Sequence, residues 1–344
     1  MGRGRAAMSL TVLKPGLLAT VQDLGRYGYQ KYGVAVGGAM DEPAARVANW
    51  LVGNEDAEAV LELTLTGTEL RVDQDMWLAV CGGDMGARTD AGEVVPLWRP
   101  VWIAEGTILS FRHYQSGCRT YVAIAGGLEA NVSMGSRSTY LRGAIGGLDG
   151  RTLGTGDRLE IRQRGREALA IDKLEVSSSG RLKWPLWHAG GFAVAPREVH
   201  TVRLMQGEHQ NLLTAEALRN LYHEVFRIGP SSDRMGYRLQ SERKLKFGEQ
   251  ASELITEPVV HGTIQLPPDG NPIVLLADRQ TTGGYPRIGQ VASVDIPVFA
   301  QLKPGDRIRF YSVTPIESER LKLESELDMN QLRTIIALKL HHKT

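Results

Sequence analysis

The sequence predicts a mainly β protein built from many short strands. Glycine is abundant, with 39 residues in a chain of 344, and no low-complexity tract accounts for it, so the glycines indicate many tight turns. Short apolar runs recur along the chain, separated by Gly, Asp, Asn and Pro. This alternation of short strands and turns is typical of many-stranded sandwiches and barrels.

The strand candidates are short runs that are rich in β-branched and aliphatic residues or alternate between apolar and polar positions. They are spread from the first residues to beyond residue 300. The predicted strands are Leu10–Leu13, Val60–Leu65, Trp77–Cys81, Ile108–Arg112, Tyr121–Ala125, Arg158–Arg162, Thr201–Met205, Ile273–Ala277 and Arg307–Tyr311.

Helices are few, and their starts carry capping signals. The first follows Asp41, an N-cap candidate with a proline just after it, and ends at Gly53. The second begins near Thr214 and has leucines at helical spacing. The third begins with a capping box at Thr314–Glu317. It continues as a charged, leucine-bearing tail that either packs on a partner or covers its own domain.

A turn followed by an amphipathic strand occurs three times and is consistent with two related β units. The segments are Gly106–Phe111, Gly156–Ile161 and Gly305–Phe310. Such turns are also common in unrelated strands, so duplication is one of two interpretations. The serine stretch Ser177–Gly180 interrupts the strand pattern. We therefore predict β domains over residues 9–190 and 191–312, followed by a helical tail over residues 313–344.

Composition and charge argue against several classes of partner. Lys and Arg total 40 against 39 Asp and Glu, and a net charge of +1 gives no general attraction to nucleic acid or to anionic membranes. No apolar run approaches the roughly 18 residues that span a bilayer, and a signal-peptide pattern is absent. We expect a cytoplasmic protein. Cys81 and Cys118 lie in apolar contexts and predict buried free thiols, although a single disulfide stays possible.

Motifs for a complete ATP- or metal-dependent reaction are absent from the sequence. It contains no Walker-type phosphate loop, Rossmann glycine fingerprint, zinc-protease helix or Cys-x-x-Cys pair. The segment Gly229–Ser232 misses a nucleophile elbow because Asp233 replaces the final glycine. No Met-Lys-Met segment that could carry biotin is present. We predict no metal site and no covalently attached cofactor on this chain.

Four polar clusters contain the candidate functional residues. The densest follows the apolar run Ile273–Leu276, and a strand that ends in a loop holds binding groups on a rigid support. Its members are Asp278, Arg279, Gln280, Thr281, Thr282 and Tyr285, with His261 and Gln265 upstream. The other clusters are Thr20–Gly28 with Gly37–Asp41, Gly135–Thr139 and Ser231–Arg238.

Arginines flanked by hydroxyls suit a carboxylate or a phosphate, because the planar guanidinium donates to two oxygens and Ser or Thr adds directed hydrogen bonds. The predicted binding residues for a small-molecule substrate are Arg234, Arg279, Arg137, Gln280, Thr281, Thr282, Tyr285, Ser136 and Ser138. Asp278 and Asp233 are the candidates for acid/base or orienting catalysis. The alternative is structural. Asp23, Asp233 and Asp278 each have an arginine nearby in sequence and can pair with it at the base of a loop.

Seven segments of the sequence together resemble those of a known protein family. They are Pro15–Gly28, Gly38–Asp41, Ala48–Asn54, Gly135–Thr139, Ser232–Leu239, Gly262–Gln265 and Asp278–Tyr285. Together they resemble the allophanate hydrolase subunit 2 family. This family is also described as the biotin-dependent carboxyltransferase family, and it includes the C subunit of bacterial 5-oxoprolinase and KipA-like proteins. The match extends in order from about residue 9 to residue 312 and leaves out the tail.

The resemblance implies two cyclophilin-like β-barrel domains with a few short helices. It also implies a heteromeric complex with a subunit 1 type protein (KipI-like, the B subunit of 5-oxoprolinase) and with the A-type protein of 5-oxoprolinase. In 5-oxoprolinase such a complex opens 5-oxo-L-proline to L-glutamate with hydrolysis of ATP. ATP is therefore the implied cofactor at the level of the complex, and we expect the chain to be inactive alone.

Two other functions stay open. In urea carboxylase, similar segments form the carboxyltransferase part of a long chain, beside biotin carboxylase and biotin carrier domains that this sequence does not contain. The chain could then be the carboxyltransferase component of a urea carboxylase or allophanate hydrolase system. Some family members are described as counteracting a kinase-inhibiting partner, so a regulatory protein that binds and antagonises such a partner is the third hypothesis.

Overall fold

A computed structural model describes residues 8–248 and 255–341, which form two compact units. The first unit contains residues 8–26, 41–194 and 329–341, and the second contains residues 27–40, 195–248 and 255–328. The predicted domain ranges follow the chain without interruption, whereas each unit combines separate segments. β-Strands dominate both units, which confirms the predicted mainly β fold.

The first unit contains two antiparallel sheets. Their strand orders are β10-β1-β4-β8-β6 and β11-β12-β7-β5-β9-β3-β2. The strands are β1 Ser9–Pro15, β2 Leu18–Gln22, β3 Val60–Thr64, β4 Thr68–Val72, β5 Met76–Asp84, β6 Ala87–Thr89, β7 Pro100–Ile103, β8 Ile108–Phe111, β9 Ser116–Ile124, β10 Arg158–Glu160, β11 Ser177–Ser179 and β12 Leu182–Trp184.

Alternation along these strands builds one core from both sheets. Leu10 and Val12 of β1 are fully buried in the same apolar cluster as Leu61 and Leu63 of β3. Successive side chains of a strand point to opposite faces, so residues two apart share the core face. Burying each such side chain stabilises the fold by about 1.5–3 kcal/mol.

The second unit contains a closed barrel of seven strands in the order β13-β20-β17-β18-β15-β14-β21. A parallel pairing of β13 with β21 is part of this closure, and the other barrel pairings are antiparallel. The barrel strands are β13 His200–Gln206, β14 Phe226–Ile228, β15 Gly236–Gln240, β17 Thr263–Gln265, β18 Ile273–Leu275, β20 Arg287–Val291 and β21 Arg307–Ser312. A separate two-stranded ribbon pairs β16 Glu257–Pro258 with β19 Thr282–Gly283.

All the predicted strands overlap observed strands, and the repeated turn before a strand is also present. Gly106, Gly156 and Gly305 adopt φ values of 77°, 88° and 96° two residues before β8, β10 and β21. A left-handed backbone favours glycine at these turns. The interpretation of the serine stretch was wrong in one respect. Residues 177–179 form β11, an edge strand paired with β12, because edge strands tolerate polar residues on both faces.

The helices are α1 Glu42–Leu51, α2 Arg166–Ala170, α3 Ala215–His223, α4 Ile296–Gln301 and α5 Pro315–His341. The three predicted helix starts are confirmed. Asp41 accepts from Ala44 N at 3.1 Å to cap α1, and Thr214 accepts from Ala217 N at 3.1 Å to cap α3. Helices α2 and α4 were not predicted, because five or six residues are too few to show a helical period.

The end of α5 covers the first unit. Met329, Ile336 and Leu340 are buried. Arg333 of the same helix lies 3.3 Å from a carboxylate oxygen of Asp56. The end of the predicted tail therefore packs within the first unit, and packing of the tail on a partner stays a prediction.

We expect the predicted capping box to hold the start of α5. Thr314 Oγ1 accepts from Glu317 N at 3.2 Å, and Glu317 Oε2 accepts from Thr314 N and Thr314 Oγ1, both at 2.8 Å. Replacing Thr314 by Ala should destabilise the first turn by about 1 kcal/mol. Hydrogen exchange of amides 316–319 should therefore accelerate roughly five-fold.

The matched control for this cap is Thr334→Ala. It removes the same hydroxyl from the same helix, where it donates to the Asn330 carbonyl at 2.9 Å. First-turn exchange should stay at the wild-type rate in this control. If the first-turn amides exchanged at the same rate in Thr314→Ala and Thr334→Ala, the capping box would not be what holds the helix start.

Candidate functional site

A buried ion pair lies at the centre of the polar cluster in the second unit. Arg234 Nε and Nη2 donate to Asp278 Oδ2 and Oδ1, each at 2.9 Å, so the pair is bidentate. Each residue is only 5% exposed. Arg234 Nη2 also donates to the Gly38 carbonyl at 2.7 Å. One guanidinium thus connects two segments that are far apart in sequence.

Strand register brings Arg234 and Asp278 to the same end of the barrel. Arg234 lies just before β15, Asp278 lies just after β18, and Gly236 pairs with Leu275 where these antiparallel strands meet. The start of one strand therefore lies beside the end of the other. Asp278 N also donates to the Arg234 carbonyl at 2.9 Å, so backbone and side chains fix the same geometry.

Asp278 forms its ion pair with Arg234, which corrects the suggested pairing of Asp278 with its sequence neighbour Arg279. Asp233 is exposed, and its Oδ1 accepts from Met235 N at 2.8 Å and Gly236 N at 3.3 Å. Such an Asx turn supports the entry to β15. The acid/base roles of Asp233 and Asp278 stay predictions.

Arg279 and His261 contain buried polar atoms that have no hydrogen-bond partner among residues 8–248 and 255–341. These atoms are Arg279 Nε and His261 Nε2. Arg279 Nη1 donates to the Leu276 carbonyl at 3.2 Å, which anchors one end of the guanidinium. Burial, and after it the charges of Arg279 and Arg234, lower the pKa of His261 to about 3. The imidazole is therefore neutral at physiological pH.

The remaining loop residues lie on or beside the two-stranded ribbon. Thr282 is part of β19, and the Thr281 carbonyl accepts from Val259 N at 3.0 Å. Gln280 and Thr282 are exposed, and Tyr285 is 47% exposed. These three side chains are accessible to a substrate or a partner, and their predicted binding roles stay predictions.

The polar cluster in the first unit is centred on the carboxylate of Asp23, which accepts several hydrogen bonds. Asp23 Oδ1 accepts from Ser136 Oγ at 2.7 Å, Ser138 Oγ at 2.5 Å and Gly25 N at 2.8 Å. Asp23 Oδ2 accepts from Arg137 N at 2.5 Å. Both serine hydroxyls therefore hold an internal carboxylate. Arg137 is half-buried, and its Nε has no partner among the described residues, so the guanidinium remains a candidate anion ligand.

Sequence reasoning missed a second buried network in the first unit. Tyr121 OH donates to Glu62 Oε2 at 2.8 Å and accepts from Asp41 N at 2.7 Å. Burial, and after it the charges of Glu62 and Asp41, raise the pKa of Tyr121 well above its usual value. Glu62 lies opposite Tyr121 in the β3–β9 register. The available signal was Glu62, the one charged residue within the predicted strand Val60–Leu65.

The described part of the chain offers neither a cluster of metal ligands nor a membrane helix. No group of three His, Cys, Asp or Glu side chains there could hold a metal ion. None of the helices in residues 8–248 and 255–341 is long and apolar enough to cross a membrane. Cys81 and Cys118 are buried free thiols, as predicted, and burial raises the pKa of Cys81 well above its usual value.

The fold and these clusters belong to a known class of protein. The family model for the carboxyltransferase domain, subdomain A and B, matches residues 32–312, and the chain belongs to this family. The family resemblance predicted from the sequence is therefore confirmed.

Individual relatives show which proteins this chain is similar to. The C subunit of 5-oxoprolinase from Escherichia coli (strain K12) is 33% identical over 97% of this chain and 99% of that protein. The corresponding protein of Haemophilus influenzae is 33% identical over 92% and 96%, respectively. The crystal structure of the K. lactis urea amidolyase matches with a TM-score of 0.84 and 27% identity. That match covers 96% of this chain but only 20% of the longer one.

We expect Asp278→Ala to destabilise the second unit strongly. The substitution leaves the Arg234 guanidinium buried without its carboxylate, which typically costs about 3–5 kcal/mol. Urea unfolding of the full chain, followed by circular dichroism, measures the loss. The matched control is Glu198→Ala, which removes a carboxylate that is 82% exposed and lies 2.8 Å from Arg307. This exposed pair should contribute at most about 1 kcal/mol. An equally small loss in the free energy of unfolding for Asp278→Ala and Glu198→Ala would contradict the importance of the buried pair.

Asp23→Asn should destabilise the first unit although it preserves the shape of the side chain. If the amide oxygen keeps the Oδ1 position, the amide nitrogen faces Arg137 N–H, which leaves two donors opposed and costs about 1–3 kcal/mol. The free energy of unfolding tests this. Asp75→Asn is the matched control, because exposed Asp75 accepts from the described residues through Oδ1 alone, from Glu105 N at 2.8 Å. A loss in the control as large as that in Asp23→Asn would argue against the closed cluster.

Proposed function

We propose that this chain is a subunit of an ATP-dependent 5-oxoprolinase, a multi-protein enzyme that hydrolyses 5-oxo-L-proline to L-glutamate. The supporting observation is similarity from end to end. The alignments with two bacterial 5-oxoprolinase C subunits cover 99% and 96% of those proteins, whereas the urea amidolyase of Saccharomyces cerevisiae is covered over 18% of its length. A chain that matches a whole subunit is expected to act in the same kind of assembly.

In this proposal, the second unit supplies substrate contacts and the partner proteins supply the rest. Arg279 binds the substrate, with Gln280, Thr282 and Tyr285 accessible on or beside the ribbon. Both oxygens of Asp278 accept from Arg234, which favours an orienting role over proton transfer. ATP binds at the level of the complex, because the sequence has no phosphate loop. The partners are a subunit 1 type protein and the A-type protein, and the complex is cytoplasmic.

The second candidate is a carboxyltransferase component that acts on urea or a related amide. The family match and the TM-score of 0.84 with the K. lactis urea amidolyase favour it. In that case the same Arg279 site would bind the carboxyl group during its transfer from biotin, and a biotin-bearing protein would be required. A regulatory role towards a kinase-inhibiting partner would need no turnover.

A reconstitution assay separates these functions. ADP release that depends on 5-oxo-L-proline is measured with this chain alone, with the subunit 1 type protein, and with both partner proteins. We expect turnover only in the full mixture, because the sequence contains no phosphate loop and the proposed active site is completed by the partner proteins. A stable complex without turnover would contradict the proposal, and biotin-dependent carboxylation in the same complex would support the second candidate.

Arg279→Ala tests the proposed substrate contact within the reconstituted complex. Loss of a charge-assisted hydrogen bond costs about 1.5–3 kcal/mol, so kcat/KM should fall roughly 10- to 150-fold. Gel filtration establishes that the complex stays intact. The matched control is Arg309→Ala, which removes an exposed guanidinium from β21 and should leave kcat/KM unchanged. Wild-type activity of Arg279→Ala in an intact complex would remove Arg279 from the site.

A further inference from the structure

We propose that His261 and Arg279 together form a binding site for one carboxylate group, in which a neutral imidazole and one guanidinium share the two oxygens. This inference rests on the proposed function for the identity of the substrate. It assigns to His261 a binding role, and it limits the ligand to a single negative charge.

Two turns at neighbouring strand ends place the two residues close together. His261 and Gly262 form a turn directly before β17, in which Thr263 N donates to the Val260 carbonyl at 3.1 Å, and Gly262 N donates to the Leu275 carbonyl of β18 at 2.7 Å. Arg279 lies in the turn after β18, where Arg279 N donates to the Leu276 carbonyl at 3.2 Å. The charge of Arg279 contributes to the lowered pKa of His261, which requires the two side chains to lie near each other.

The unpaired donors point to a ligand. Buried polar atoms are nearly always hydrogen-bonded, and each one left without a partner costs about 1–3 kcal/mol. His261 Nε2 and Arg279 Nε are two such atoms in one cluster of the described residues. An N–H on each of them would match the two oxygens of a carboxylate, and Arg279 Nη1 stays bound to the Leu276 carbonyl.

The charges in the cluster favour a monoanion. Arg234 is already neutralised by its bidentate pair with Asp278. Burial and the two guanidinium groups keep the His261 imidazole uncharged by lowering its pKa. Arg279 is then the one cation of this set whose charge is not matched by a bidentate carboxylate. A phosphate dianion or a nucleotide polyphosphate would leave negative charge uncompensated in a partly buried site, which is costly.

The substrate of the proposed reaction has the required chemistry. 5-Oxo-L-proline carries one carboxylate and a neutral lactam. Binding of the carboxylate by His261 and Arg279 would hold the molecule by the group that does not react. The lactam bond would remain accessible to the catalytic groups of the partner proteins.

An NMR titration of the full chain with isotope-labelled histidine tests the site without partners or ATP. The His261 signal is assigned with His261→Gln among the eight histidines of the sequence. Acetate and 5-oxo-L-proline serve as carboxylate probes, with inorganic phosphate and sodium chloride in parallel. We expect both carboxylates to shift the His261 signal and to raise its pKa, because a bound anion favours the imidazolium. Phosphate should bind at least about ten-fold more weakly than either carboxylate.

Variants separate a binding role from a structural one. Arg279→Ala should abolish the response of His261 to acetate, whereas Arg309→Ala should leave it unchanged. His261→Gln and His261→Asn, followed through the Arg279 side-chain signal, should weaken acetate binding about ten-fold. No response of wild-type His261 to either carboxylate would overturn the proposal, and so would equal or tighter binding of phosphate.

The outcomes also distinguish this inference from the proposed function. A response to acetate together with an inactive reconstituted complex supports the carboxylate site and overturns the 5-oxoprolinase proposal. Turnover of 5-oxo-L-proline without any response of His261 to carboxylates supports that function and overturns the site.

Discussion

The buried Arg234–Asp278 pair is the interaction on which the candidate site depends. Taking two charges out of water is expensive, and a bidentate geometry with an additional acceptor at the Gly38 carbonyl offsets that cost. Such a pair adds little net stability compared with a well-packed apolar pair. Its main effect is positional, because it fixes the start of β15 beside the end of β18. Arg279, the residue after Asp278, is positioned by the same constraint.

Satisfaction of hydrogen bonds separates the candidate residues into those that hold the chain together and those that remain able to bind a ligand. In the first unit, the Asp23 carboxylate accepts four donors, and both serine hydroxyls are used within the cluster. In the second unit, His261 Nε2 and Arg279 Nε are buried and lack partners among the described residues. A closed network mainly orders the chain, whereas unpaired buried donors are able to bind a ligand. By this criterion, His261 and Arg279 are candidates for ligand binding, and so is Arg137 in the first unit, whose buried Nε also lacks a partner among the described residues.

Local signals made much of the fold predictable, and long-range pairing limited the rest. The N-caps of α1, α3 and α5 are encoded within four residues, and strand alternation needs only a short window, so both were found in the sequence. Asp278 pairs with a residue 44 positions away, and Ser136 donates to a carboxylate 113 positions away. For Asp278, sequence proximity therefore suggested the wrong ion-pair partner, although the clusters themselves contained the right residues.

The side chains of the second unit also give a reason to expect that the chain acts with partner proteins. An enzyme that hydrolyses an amide with ATP must activate the carbonyl, position water and bind a nucleotide. The second unit offers an orienting carboxylate, one guanidinium and a neutral imidazole, which are suited to holding an anion but not to all of those steps. Similarity along the whole length of the bacterial 5-oxoprolinase C subunits agrees with this division of roles. In the proposed complex, binding the unreactive end of the substrate would be the contribution of these residues.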